Sequence, residues 1–477
     1  MTASLLTFAA TLALTLVIYW SAIFGTYGRS DDYIYVHDVR TDTLDSGLGA
    51  VWFNAGRPVP AFLYQWVLPR AEEVADLVLL RLVSALVVAA GAALCGVLAM
   101  AVVGSSGWLA RVLAVGVAGV AVTTTAAPSA VTWGVMAGQM PAFGTAVAAG
   151  MCATWGRTPW RWAVVAALVL LSAFSYQHFA PIAFFSSALG TAALWARREG
   201  ARLRDPVLVG LMVVGAIALN LVFVTWRSGD ALDRISGPTA SERFAWFTEE
   251  FLPRTVDLSV PWSPTTAYQS AAVVIVLLLL ALVRGPRHLA LPAVVVVCWL
   301  CAALVIVPGE LWASYRLIAA AQLVLWVGAG CCAAVGINAA WERRAVLGAP
   351  LLVAAGVAVA SAGVASHHRA VDYFAAPNEV DWETARCAMR QAEPVAAGTP
   401  LRQSYFEDST SPLLSYDEYG IIGTSTPFAI QYEAWLALDS VDGPGQPGLD
   451  ATGLPIVPPT DEPGDALVFT PDACARG

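Results

Sequence analysis

The stretch "LLTFAATLALTLVIYWSAIFGTYGRSDDYIYVHDVR" (residues 5–40) decides how the rest of the chain is read. Residues 5–25 carry no charge. As a helix rising about 1.5 Å per residue, such a run crosses a hydrocarbon layer of about 30 Å. Directly behind it, residues 27–40 hold three aspartates, two arginines and a histidine, in a chain with only 13% charged residues. No charged n-region opens the apolar run and no small-residue cleavage site precedes "GRSDD". A retained first span is therefore expected, not a cleaved signal peptide.

Comparable apolar windows recur near 79–103, 108–127, 133–154, 160–177, 179–196, 206–226, 266–284, 289–307, 317–337 and 346–366, giving about eleven spans in all. Only the short polar break "SYQHFAP" (175–181) divides the fifth from the sixth. The composition agrees: 477 residues, 58% hydrophobic, with a mean hydropathy of +0.65, leave too little polar surface for a soluble protein. All 26 basic residues are arginine, which points to a GC-rich bacterial genome more than to any chemistry. The net charge of −9 offers no basic face for nucleic acid.

Arginine in short loops predicts sidedness. "GRTPWR" (156–161), "ARREGARLR" (196–204), "RGPRH" (284–288) and "WERR" (341–344) all fall on one side of the eleven-span count, which should be the cytoplasm. The amino terminus is then cytoplasmic. The segment 26–78, the loop 227–265, "PGELWASYR" (308–316) and everything after 366 face outward. "SERFAWFTEEFLP" (241–253) and "VWFNAGRPVPAFLYQWVLP" (51–69) mix aromatics with charges, as helices lying in the outer interface do.

Two domains are expected: an all-α polytopic region over 1–366 and a small extracytoplasmic α/β domain over 367–477. In the latter, helices are expected over 378–392 and around 427–439, a Pro/Gly-rich loop over 442–464 and a strand over 466–470. Six of the eight cysteines lie in apolar runs, where cysteine packs as a small hydrophobe. "CWLC" (298–301) has redox spacing but no histidine or charge beside it. Cys387 and Cys474 are the only pair in the outer tail, where a disulfide between them is permitted.

The acids of the opening stretch have a plain reading and a chemical one. In the plain one, Ser30 caps a short helix whose first turn holds Asp31 and Asp32 at the positive dipole end. In the chemical one, carboxylates and arginines stand together at headgroup level, with Asp31 and Asp38 two helical turns apart on one face. Transfer of a sugar from a lipid phosphate needs that combination. A carboxylate takes the proton of the attacking hydroxyl, and a cation or metal steadies the departing phosphate.

"SDDYIYVHDVR" after a first span, then "GAVWFNAGRPVPAFL" with Gly56-Arg57, then "AFSYQHFAP" with Tyr176-Gln177, resembles the O-antigen glucosyl transferase type II family within the GT-C superfamily. The resemblance covers residues 1–370 in topology and leaves the tail unmatched. It implies a GT-C-like membrane glycosyltransferase, a hexosyl- or pentosyltransferase acting with inversion at the anomeric carbon. The donor would be a polyprenyl-phosphate sugar and the acceptor a cell-envelope glycan or lipid-linked molecule, among membrane lipids and on the outer face. Asp31 or Asp32 would be the base, with the other orienting it or holding a divalent metal, Mg or Mn.

His37 and Asp38 are second candidates for the site, and Arg57 and Arg316 would hold phosphate. Arg57 has a competing role snorkelling to headgroups. Glu310 and Arg316 would equally pair with each other, and Tyr176, Gln177 and His178 would equally make an ordinary polar helix end. A transporter or flippase, or a polysaccharide polymerase, is the alternative. The first calls for ionisable groups near the midplane and the second for arginine-rich outer loops. The spans are almost free of charge, and the loop 227–265 is mixed in sign.

Overall fold

The computed structural model describes residues 2–156, 158, 160–228, 239–258, 264–304, 315–391, 401–402, 432–437, 456–457 and 467–468. Helix α1 (Thr2–Phe24) is followed by three short helices, α2 (Asp31–Arg40), α3 (Leu48–Asn54) and α4 (Pro58–Trp66). Next come α5 (Leu77–Val103), α6 (Trp108–Val122), α7 (Ala126–Thr132), α8 (Pro141–Trp155), α9 (Arg161–Tyr176), α10 (Pro181–Ala196) and α11 (Arg204–Ser228). A helical run carries α12 (Ala240–Trp246) and α13 (Leu252–Val256), before α14 (Pro264–Leu280), α15 (Ala290–Leu304), α16 (Tyr315–Arg343), α17 (Ala345–Ala370) and α18 (Ala376–Gln391). Proline stands in the first turn of α4, α8 and α10, where its missing N–H costs nothing.

Among the described residues, eight helices are long and apolar enough to cross a membrane, or nine if a bent pair counts as one. The expectation of eleven spans is corrected at three places. The window 108–127 is α6 and α7, bent by 78°. The window 133–154 contains only the 15-residue α8, and 179–196 only the 16-residue α10. Helices of 15 and 16 residues reach about 22–24 Å, short of the hydrocarbon thickness. They are the inner helices: 13 of the 16 residues of α10 are buried, and α8 packs on α5, α9 and α10. An element that meets protein instead of lipid need not match the bilayer.

The four arginine-bearing loops gather at one end of the bundle. Arg197 donates to the Ala101 and Val102 carbonyls at 3.1 and 2.6 Å, Arg161 meets Asp205 at 3.3 Å, and Arg284 meets Glu342 at 3.8 Å. Trp108, Trp160 and Trp195 are exposed at that end, and Trp20, Trp66 and Trp226 at the other, as two interfacial belts would be. The outer-interface expectation over 51–69 corresponds to α3 and α4. Over 241–253 it corresponds to α12 and α13, started by a Thr239–Glu242 capping box.

α17 continues through a π turn (Val371–Ala375) into α18 as one 46-residue column, about 69 Å long, so its last third projects past a bilayer. The α/β domain is not supported. The strands described are two residues each, Leu401–Arg402 (β1), Ile456–Val457 (β2) and Leu467–Val468 (β3), paired in parallel in the order β2-β1-β3. The helix expected over 378–392 corresponds to α18. Of the one expected around 427–439, residues 432–437 are helical and the rest lies outside the described residues.

The end of α1 is held by Arg81, fully buried in the first turns of α5. Its Nη1 donates to the carbonyls of Ile23 at 3.2 Å and Gly25 at 2.7 Å, and its Nη2 to that of Tyr27, whose ring its guanidinium covers at 3.8 Å. Arg81→Met would strip three buried carbonyls of a charged donor. It should cost about 3–5 kcal/mol, read as a lower melting temperature of the purified protein in detergent. An unchanged melting temperature would refute this role.

Candidate active site

Five residues, Gly25 to Arg29, turn the chain from α1 towards α2, and aromatic packing fixes their path. Arg29 is buried between the rings of Trp133 and Phe374, 4.5 Å from each, and its Nη1 donates to Ser129 Oγ at 3.4 Å. Ser30 then takes a φ of +44°, which non-glycine residues rarely adopt. It stands at the N-cap position but caps nothing with its side chain, donating instead to Asp31 Oδ1 at 3.3 Å. The capping expected of Ser30 is therefore not made.

Asp32 instead ties the start of α2 to its surroundings. Its carboxylate accepts from the backbone N–H of Arg29 at 3.2 Å, Gly134 at 3.3 Å and Val135 at 2.9 Å. Burial pushes its pKa up from the usual carboxylate value to about 6, against the opposing pull of the Arg81 charge and the two amides of the 134–135 turn. A carboxylate with amides on both oxygens is occupied. Asp31, next in line, is half-exposed at the start of α2. The two acids therefore stand in different surroundings, Asp32 fully buried and Asp31 only partly so.

Asp38 is also engaged. Its Oδ2 accepts from Leu48 N at 2.7 Å, while Oδ1 meets Thr43 Oγ1 at 3.4 Å and His37 Nδ1 at 3.2 Å. A Cβ on Gly47 would lie 2.2 Å from Asp38 Oδ2, so only glycine lets the 41–48 turn close on this carboxylate. Asp31 and Asp38 share a helical face but are seven residues apart, about 10 Å along the axis, and do not form a pair on one reacting atom. The His37 ring packs edge-on against Tyr432 and Trp435.

Gly56 and Arg57 are carried on the far side of the same region. Gly56 has φ +78°, and a Cβ there would meet Val224 at 2.5 Å and Asn220 Oδ1 at 2.8 Å. Asn220 Nδ2 donates to the Gly56 carbonyl at 2.6 Å, which pins the start of α4 to α11. Arg57, half-buried, lies with its guanidinium 4.7 Å over the Tyr176 ring. The structure thus brings together Gly56-Arg57 and Tyr176 from 119 residues apart, 176 minus 57. Gln177 and His178 follow in a 3-10 turn, both half-buried. An apolar groove of about 790 Å³ opens between α4, α9 and α11, lined by Pro58, Val59, Phe174, Phe223 and Trp226.

The residues that join the two halves were not singled out by sequence. Turn 133–138 receives Asp32 on its Gly134 and Val135 amides. It receives Tyr64 of α4 through the Gly134 carbonyl at 3.0 Å and the Gly138 N–H at 3.2 Å. Tyr64 packs in turn against Trp52, tilted, and Tyr35, edge-on. The signal available was "WGVMAGQMP" (133–141), whose two glycines and proline interrupt an apolar run.

Among the described residues no three His, Cys, Asp or Glu side chains are grouped to hold a metal ion. Amide donors occupy Asp32 where a metal would need lone pairs, so an Asp31–Asp32 metal pair does not fit. Glu310 lies outside the described residues; Arg316 falls in the first turn of α16 and its side chain is likewise outside them. Cys387 of α18 is disulfide-bonded, while Cys474 lies outside the described residues. No family model matches the chain, and no curated protein matches it either.

The Asp32 environment sets a pH dependence. Its folded-state pKa is raised, so the stability linked to its neutral form is present at low pH and is lost as pH rises through about 6. The melting temperature of the wild type should therefore gain on that of Asp32→Asn as pH falls from about 7 to about 5. A difference that does not vary with pH would contradict the burial of this charge.

Proposed function

We propose that this protein is an integral membrane glycosyltransferase, moving a sugar from a polyprenyl-phosphate donor to a cell-envelope glycan or lipid-linked acceptor. The observation that carries this reading is Arg57 stacked on Tyr176, next in the chain to Pro58 and Val59 of an apolar groove, on the same scaffold that holds the part-exposed Asp31. An isoprenoid phosphate has the matching chemistry, a hydrocarbon chain for the groove and an anion for the guanidinium.

Asp31 is assigned as the base. It takes the proton of the acceptor hydroxyl while that oxygen forms its bond to the anomeric carbon. The bond from that carbon to the phosphate oxygen breaks, its electron pair stays on the phosphate, and Arg57 steadies the charge. Inversion follows from the family resemblance. Asp32 is a positioning residue that fixes α2. Ionisable groups near the midplane, which transport calls for, find no support in Arg29, Arg81 and Asp32, which cluster at one end of the helices.

The arginine-bearing end is assigned to the cytoplasm and the site end to the outside of the cell membrane. A disulfide on Cys387 suits an outward tail. A carboxy-terminal reporter that is active only in the cytoplasm would overturn this orientation.

Cells lacking the gene should lose one sugar from an envelope glycan, and restored wild type should return it. Arg57→Lys keeps the charge but loses the planar fork. It should lower transfer by purified protein about tenfold, or ~1.4 kcal/mol of barrier, with Arg57→Ala lower still. Envelope glycans identical with and without the gene would remove this reading.

A further inference from the structure

Buried polar groups are nearly always paired, because an unpaired one forfeits its bonds to water. Gln139 departs from that rule beside the candidate site. It is 2% exposed, and its Oε1 has no hydrogen-bond partner among the described residues. The same holds for Oγ of Ser175, fully buried in the last turn of α9, and for Oε1 of Gln177, which begins the 3-10 turn behind it. The fold does not call on the Gln139 side chain to satisfy its own backbone. Its N–H donates to the Met136 carbonyl at 2.9 Å, and its carbonyl accepts from Ala142 N–H at 3.1 Å.

Contacts between the elements bring these groups to one level. Helices α8 and α9 follow each other in the chain and pack antiparallel, and Ser172 Oγ donates to the Ala142 carbonyl at 2.9 Å. In an antiparallel pair, a step forward on one helix matches a step back along the other. Three steps from that bond set Ser175 at the level of Gln139, on the face of α9 that Ser172 turns to α8. One turn past Gln139, Phe143 meets Phe179 of the Gln177 turn, with ring centroids 6.0 Å apart. On the other side, a Cβ on Gly138 would lie 3.3 Å from Pro60 Cα in α4. Pro60 is three residues on from Arg57, whose guanidinium covers the Tyr176 ring at 4.7 Å. Gln139 also follows directly on the turn 133–138 that receives Asp32.

We propose that Gln139, with Ser175 and Gln177, binds hydroxyl groups of the sugar on the donor and so decides which sugar is accepted. This rests on the reading of Arg57 as the holder of the donor phosphate. The anomeric carbon is bonded to a phosphate oxygen, so the sugar of a donor held at Arg57 lies among the neighbours of Arg57. A sugar hydroxyl both donates and accepts, as do a carboxamide and a serine hydroxyl. A site built to bond such a hydroxyl rejects a ligand that places it elsewhere, because its own buried groups are then left unpaired. Side-chain oxygens without partners in the protein supply that penalty.

Equilibrium binding by the full chain in lipid nanodiscs tests this without an acceptor. The probes are polyprenyl phosphate and its glucose, mannose, galactose and arabinose derivatives. Wild type should bind one sugar derivative about tenfold tighter than polyprenyl phosphate, or better. Gln139→Met, of similar length but without hydrogen-bonding groups, and Ser175→Ala should each lose most of that advantage while binding polyprenyl phosphate as wild type does. Neither should melt lower than wild type, since an unpaired buried group adds nothing to the fold. An advantage that either variant keeps in full overturns the inference, whatever its melting temperature. So does a wild type that binds polyprenyl phosphate and all four derivatives alike. Those results leave a phosphate at Arg57 standing if Arg57→Ala weakens all five ligands. Binding of none of the five by wild type removes that reading as well.

Discussion

The guanidinium of Arg81, spread over the carbonyls of Ile23, Gly25 and Tyr27, is the constraint on which the site end of the molecule depends. The last carbonyls of a helix have no intrahelical donor, and at the membrane boundary they cannot count on water. A single cation from α5 satisfies them and carries a charge into the interior that calls for an anion. Asp32 answers it, accepting three backbone amides as well. Once Asp32 is drawn inward, the start of α2 is fixed in both position and rotation, and Asp31 is left partly exposed.

Irregular backbone collects around that anchor. The α6–α7 break, the turn 133–138, the 3-10 turn Gln177–Phe179 and the two short helices α8 and α10 all lie among longer helices. Non-helical backbone is tolerated at such depth only where protein supplies its hydrogen bonds. Here the partners are named: Asp32 and Tyr64 on the 133–138 turn, Tyr19 on the Val122 carbonyl at 2.7 Å, and Ser366 on that of Thr123 at 3.0 Å. The long helices give the scaffold its length, with α16 at its centre almost wholly buried, and the short ones α8 and α10 pack among them.

Much of the helical scaffold was legible because lipid-facing segments must be long, apolar and uncharged, and a window of residues measures all three. The three windows that fell short belong to helices facing protein, where length is no longer constrained. Of the candidate site residues, Gly56-Arg57 and Tyr176 were singled out by sequence, and the structure sets Arg57 over the Tyr176 ring. The unlike surroundings of Asp31 and Asp32 were not legible, because adjacent identical residues differ only in what the 133–138 turn offers them. Asp38 read as a second candidate for the site, and its bond to the Leu48 amide was not legible because a backbone partner shows in no side-chain pattern. Arg81 stands out in sequence only as a charge at the start of an otherwise apolar window. Its burial follows from a contact with α1, a helix that lies more than fifty residues earlier in the chain.

The division of labour between the two aspartates is the central claim, and paired measurements on Asp31→Asn and Asp32→Asn test it most directly. Sugar transfer from a polyprenyl-phosphate donor and melting temperature would be recorded on the same purified samples. The account expects Asp31→Asn to keep the wild-type melting temperature while transfer falls by about 10²–10⁴-fold, the usual contribution of a general base. It expects Asp32→Asn to change the melting temperature and its pH profile. Near-normal turnover in Asp31→Asn, with the loss of transfer confined to Asp32→Asn, would contradict the account.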